Sequence, residues 1–180
     1  MPKPKSVLFI GRVQPIHNGH EVVIRKLVKQ HGSITIGIGS ANEQGLMRNP
    51  FSFKQRKRML QSALADIVDR IKIIPINDKH NDKAWREHVL SLGKFTHFAT
   101  DNEWVRRCLK ESLKEAKYPG VVERDQLQAT RVREELASGR EWERRVNPKV
   151  AEYLKRSSAP DRLRRIKAAH PHQLLKRRKR

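Results

Sequence analysis

A chain of 180 residues with 40 Lys/Arg against 19 Asp/Glu, a net charge of +21, is strongly basic and suited to anionic partners. With 37% hydrophobic residues it can bury a core, and its single cysteine, Cys108, excludes an internal disulfide framework. No apolar run is long enough to span a bilayer and no signal peptide precedes the first apolar run, so a cytoplasmic protein with no membrane partner is expected.

The first element is Ser6 to Ile10, a short apolar run bounded by Gly11, which reads as a buried strand. Gly11, Pro15 and Gly19 interrupt the backbone, and an apolar-periodic segment from about Glu21 to Val28 reads as a helix. Asn18 is the expected N-cap, with Glu21 at the capping-box position. This puts His17 just before the helix and His20 in its first turn, where backbone N–H groups and the helix dipole favour an anion. Two imidazoles and Arg12 at that point make a phosphate cradle.

Ile34 to Ile38 reads as a second strand, parallel to the first across the helix. Gly37-x-Gly39-Ser40 is too short for a dinucleotide fingerprint and reads as a strand-end turn. A polar loop ends in Arg48-Asn49-Pro50-Phe51, after which Ser52 and Gln55 form a capping box for a helix with Met59, Leu60, Ala63 and Leu64 on its apolar face. Ile71 to Ile76 is the third strand, and Pro75 should turn its end out of the sheet. The polar loop from Asn77 to Asp82 follows at the strand end, where open α/β sheets bind ligands. Trp85–Leu92 is the next helix, and Trp85 can either anchor it in the core or stack on a flat ring. Phe95 to Thr100 is the fourth strand, and Asn102 caps a helix expected to reach Glu115, with Cys108 as a small packing residue. Val121 to Glu123 is a short fifth strand. Thr130 is expected to cap another helix and to project Arg133 from its first turn, a second helix N-terminal anion site. Trp142 reads as core packing, and Asp161 to Ala169, with Leu163 and Ile166 at helical spacing, as a short basic amphipathic helix ended by Pro171.

Gly11-Arg12-x-Gln14-Pro15-x-His17-Asn18-Gly19-His20 resembles the HxGH signature of the nucleotidyltransferase superfamily, closest to archaeal-type nicotinamide-mononucleotide adenylyltransferase. Val13 and Ile16 stand where that family usually has Phe. Asn49, Pro50, Phe51 and Arg56 match a second family stretch, and Leu127-Gln128-Ala129-Thr130-x-Val132-Arg133 resembles the second superfamily signature, with Gln128 for the usual Ser. Asn102 matches a family Ser-Gly-Asn in which Thr100 and Asp101 here replace the first two residues. The resemblance covers roughly residues 5 to 170 and implies an α/β, Rossmann-like nucleotidyltransferase fold with a parallel sheet of about five strands and C-terminal helices, one domain over residues 1–170 and a basic tail at 171–180.

By that resemblance the chain joins ATP and nicotinamide mononucleotide to give NAD and pyrophosphate. His17, His20 and Arg133 would be catalytic; Gly11, Arg12, Arg48, Asn102 and Thr130 would join them in holding ATP; Asn81, Asp82 and Trp85 would hold the nicotinamide. Magnesium is expected with ATP, its protein ligands unknown because no carboxylate cluster is evident, and a homo-oligomer is implied. A sister enzyme with another phosphorylated acceptor, such as phosphopantetheine, or with CTP, is one alternative. A nucleic-acid-binding protein on an inactive scaffold is another. Residues 155 to 180 hold eleven Lys/Arg and one acid, Asp161, so a polyanion or nucleic acid is a further expected partner of the tail.

Overall fold

The structure is a computed structural model and describes residues 6–120 and 129–169. Two compact units share the chain: one comprises the segments ending at Arg12, Val22–Asn42 and the stretch from Asp66 onward, the other Val13–Glu21, Glu43–Ala65 and the described residues after 128.

The first unit is a parallel sheet of five strands, β1 (Val7–Gly11), β2 (Ile34–Ile38), β3 (Ile71–Pro75), β4 (His97–Ala99) and β5 (Lys114–Glu115), in the order β3-β2-β1-β4-β5. The chain runs outward from β1 through β2 to β3, then returns to the other side of β1 for β4. The carboxyl ends of β1 and β4 therefore form a topological switch point. Register pairs Phe9 with both Ile36 and Ala99, so β1 is central, and the successive residues Val7 to Ile10 are all buried, so both its faces are covered and can be apolar at every position. Helices α3 (Asp82–Ser91) and α4 (Glu103–Leu109) pack on each other, and Trp85, Val89, Val105, Cys108 and Leu109 join Leu8, Ile10, Ile74, Ile76 and Phe98 in one core. Cys108 is the packing residue expected, and burial raises its thiol pKa.

β2 has the bounds read for it and bends away at Gly39-Ser40, the strand-end turn expected; Gly37 within it leaves room for Ile76, which an added Cβ would meet. Two readings change here, the end of β3 and the length of the helix after β4. Pro75 closes β3 but the next N–H, of Ile76, still donates to Ile38 O at 2.9 Å, so the chain stays on the sheet one residue longer. The helix capped by Asn102 ends at Leu109 instead of Glu115, and Lys114–Glu115 is the edge strand. Lys114 and Ala116 donate to Thr96 O and Phe98 O at 3.2 and 2.8 Å, so the edge ladder and the burial of Leu113 and Ala116 outweigh helix continuation. The strand expected at Val121 to Glu123 lies outside the described residues.

The second unit is helical: α2 (Phe53–Ala63), α5 (Ala129–Ser138), α6 (Pro148–Arg156) and α7 (Ala159–Ala169), with α5 and α6 packed on α7 and α6 also on α2. The capping box read at Ser52 is present in full: Gln55 N donates to Ser52 Oγ at 3.3 Å and Ser52 N to Gln55 Oε1 at 3.0 Å. Met59, Leu60 and Ala63 are buried in α2, as are Trp142 and Leu163 elsewhere in the unit. Helix α1 (Asn18–His31) gives its first turn to this unit and the rest to the first. Among the described residues no helix is long and apolar enough to cross a membrane.

Candidate active site

In the second unit the site is built on the start of α1. The expected N-cap was Asn18; the cap is His17. His17 O accepts from Glu21 N at 3.2 Å and its Nδ1 accepts from His20 N at 3.4 Å, as a capping side chain does. Asn18 lies one residue too far in, and its amide instead donates to Arg144 O at 3.0 Å, while Glu21 accepts from Asn147 Nδ2 at 3.4 Å. Tertiary partners thus decided between two adjacent capping candidates.

The cap sets the chemistry of His17. The ring is 7% exposed, and burial, then His20, then Arg133 push its pKa down to about 2. The imidazole is therefore neutral at physiological pH. With Nδ1 accepting, the proton must sit on Nε2, which makes Nε2–H a fixed donor. The His20 ring lies 3.8 Å from it, centroid to centroid.

Thr130 and Arg133 arrive from α5. Thr130 was expected as an N-cap but sits within the first turn of the helix. Its Oγ1 accepts from Arg133 Nη2 at 3.0 Å, and Arg133 Nη1 donates to Gln14 O at 2.8 Å. The HxGH loop and the second signature thus meet through Arg133, a largely buried side chain. The loop before α2 joins them through Gln14, whose Nε2 donates to Phe51 O at 2.9 Å and whose Oε1 accepts from Phe51 N at 3.0 Å. Further along that loop, Arg48 lies against Glu43 at 3.0 Å, and Asn49 Nδ2 donates to the same carboxylate at 2.8 Å. The Arg162 guanidinium of α7 rests 5.0 Å from the centroid of the Phe51 ring.

In the first unit Gly11 ends β1, its carbonyl accepting from Gly39 N at 3.0 Å, and Arg12 follows, with the Gly39 position 3.7 Å from its Cγ for any added Cβ. Asn102 caps α4, accepting from Trp104 N at 2.9 Å, and Thr100 Oγ1 accepts from Asn102 N and donates to Ile10 O, both at 3.2 Å. This hydroxyl stitches the ends of β1 and β4 at the switch point. Asn81 caps α3, its Oδ1 accepting from Ala84 N at 2.8 Å. Asp82 accepts from Trp104 Nε1 at 3.1 Å and lies 3.6 Å from Arg107. Trp85 is 3% exposed and packs at a tilt against Trp104, ring centroids 4.6 Å apart. Of the two roles read for Trp85, the core anchor is the one its burial describes.

The residues that sequence reasoning missed are Gln14, Glu43, and the buried pair Glu135–Arg145, in which Arg145 Nη2 donates to Glu135 at 2.9 Å. Gln14 stood inside the quoted motif, but nothing in the chain announces a partner 37 positions away. Among the described residues no group of three or more His, Cys, Asp or Glu is placed to hold a metal ion. The described side chains thus offer no such donor set for the magnesium expected with ATP.

A profile of the family described as cytidylyltransferase-like matches residues 8–151. The chain belongs to that family. Its relatives include archaeal proteins named nicotinamide-nucleotide adenylyltransferase: that of Thermococcus onnurineus is 33% identical over 91% of this chain and 89% of its own, and that of Archaeoglobus fulgidus is 33% identical over 88% and 95%. Among solved structures, a bifunctional NMN adenylyltransferase/ADP ribose pyrophosphatase of Francisella tularensis, complexed with AMP and a manganese ion, superposes with a TM-score of 0.75 at 23% identity over 93% of this chain. That likeness concerns the fold, and the chain spans about half (53%) of that protein's chain. The matched cytidylyltransferase-like span begins at the second residue of β1, contains β2 to β5, His17, His20, Arg48, Thr130 and Arg133, and ends within α6.

Proposed function

We propose that this chain transfers the adenylyl group of ATP to nicotinamide mononucleotide, forming NAD and releasing pyrophosphate. The observation that carries the reading is the meeting of the two signatures: a neutral His17 with a fixed Nε2–H, His20 against it, and Arg133 with Thr130 braced on the same loop. Archaeal relatives of that name, aligned over nearly the whole chain, support it.

A phosphate oxygen of the acceptor attacks the α-phosphorus of ATP in line, the bond to the bridging oxygen breaks, and pyrophosphate leaves. No covalent intermediate with the protein is needed, so the protein's task is positioning and charge neutralisation. In this reading His17 and His20 donate to ATP phosphate oxygens at the helix N-terminus, Arg12, Arg48, Thr130 and Arg133 hold the leaving phosphates, and Gly11 and Asn102 contact the nucleotide. Asn81 offers its amide to the nicotinamide carboxamide, with Asp82 beside it. Trp85 serves that site through Trp104, the ring it supports. Magnesium bound with ATP would neutralise part of the phosphate charge; with no cluster of three or more His, Cys, Asp or Glu among the described residues to hold it, it would depend on the nucleotide for most of its ligands. Residues 171–180 lie outside the described residues; polyanion binding by the tail rests on its charge alone.

Purified protein with magnesium ATP and a panel of phosphorylated acceptors tests this, read by pyrophosphate release. Release with nicotinamide mononucleotide is expected. Release only with phosphopantetheine, or none with any acceptor alongside retention on nucleic acid, would overturn it.

A further inference from the structure

We infer that Gln14 is a positioning residue for nucleotide binding: its side chain joins the loop carrying His17 and His20 to the loop carrying Arg48. The inference rests on the reading of those loops as ATP-binding. Three observations carry it. First, Gln14 is 1% exposed, and both ends of its amide are used on one residue, Phe51, at 2.9 and 3.0 Å. A carboxamide that pairs with both the N–H and the C=O of a single residue copies a backbone β-bridge. It fixes the separation and the orientation of the two segments together. Second, the carbonyl of Gln14 is the acceptor for Arg133 Nη1. One residue therefore sets three segments, around His17, Arg48 and Arg133, in a single buried hydrogen-bonded arrangement. Third, the residue before it, Val13, has φ +49, a left-handed backbone that a β-branched side chain adopts only when its surroundings impose it. The paired hydrogen bonds of the next residue are a restraint of that kind.

Gln14 touches no phosphate in this reading. Its side chain acts through the loop carrying Arg48, the bond to Arg133 being made by its main-chain carbonyl and kept in any variant, and the alternative is a purely structural role in a buried loop. The two separate by coupling. Gln14→Met keeps the side-chain length and removes both bonds; Arg48→Ala removes the charge being positioned. Affinity for magnesium ATP, measured by calorimetry, together with kcat and both KM values, is compared for each single variant and the double. Gln14→Met should weaken ATP by about tenfold to a hundredfold, the range a displacement of order 1 Å produces. The KM for the acceptor should stay within about twofold, and the double variant should bind ATP no worse than about twofold below the weaker single. Gln14→Glu, which keeps shape and the acceptor for Phe51 N–H but loses the donor to Phe51 O, is carried through the same cycle and decides the matter if Gln14→Met does not fold. Independent, multiplicative losses in the cycle would overturn the inference. So would equal losses of ATP and acceptor affinity that follow a lowered melting temperature, or a folded variant with wild-type ATP affinity. If the wild type binds ATP but releases no pyrophosphate with nicotinamide mononucleotide, the activity reading fails while the ATP cycle still scores Gln14.

Discussion

At the scale of single residues, His17 is a buried imidazole whose protonation differs between the folded and unfolded chain. An unfolded chain protonates it near 6.5, the folded one only near 2. Between those values the unfolded state binds more protons, so stability is full above pH 6.5 and falls as pH drops, by at most about 1.4 kcal/mol per unit. Against His17→Gln, the wild type should therefore lose stability in urea melts run from about pH 6.5 down to about 5; parallel curves would show that the ring is not held neutral. His20→Ala should fold normally and lose turnover by about 10² to 10³, the usual cost of one transition-state donor. Near wild-type turnover in a soluble variant would make the pair structural only. Both expectations draw on residue types visible in the motif. The donor atom of His17 was not visible there, because it depends on which neighbour the other nitrogen accepts from.

At the scale of elements, helix ends and one buried ion pair organise the second unit. Glu135 of α5 accepts from Arg145 and Arg131. Burial alone would raise its pKa, but the two guanidiniums outweigh burial and hold the carboxyl below its ordinary range. Removing the carboxylate takes from the buried Arg145 its charged partner at 2.9 Å, so Glu135→Ala should cost about 3–5 kcal/mol in chemical denaturation. A loss under about 1 kcal/mol would mean that water reaches the arginine. In α3, Trp85 is the helix's main anchor in the core with Val89. Trp85→Ala should cost about 3–5 kcal/mol. Weakened acceptor binding with an unchanged melting temperature would instead assign Trp85 a direct stacking role. The apolar face of α3 was legible as a helix; its start at Asp82, capped by Asn81, was not separable from a ligand-binding loop, because a capping amide and a ligand-binding amide are the same residue type.

At the scale of the whole molecule, the excess of basic charge exceeds what the matched site residues employ. Those residues all precede position 134, whereas 155 to 180 carry eleven Lys/Arg. Deleting Lys176–Arg180 should leave pyrophosphate release unchanged and weaken retention on duplex DNA, lowering the magnitude of the log–log salt slope by about 0.9 for each phosphate that is no longer neutralised. A fall in turnover would instead place the tail in the chemistry. The sequence by itself determined the parallel α/β class, four of the five strands, the Ser52 capping box and the family, because each is written in local signals: apolar runs, turn residues, cap residues at fixed spacing, and a motif of adjacent positions. Tertiary structure alone decided the cap at His17 rather than Asn18, the edge strand at Lys114–Glu115 in place of a longer helix, the burial of Trp85, and the joining of Arg133, Gln14 and Phe51. Each of these is a choice between local conformations or roles of similar energy. Partners distant in the chain made the choice, and such a difference has no local pattern from which to be read.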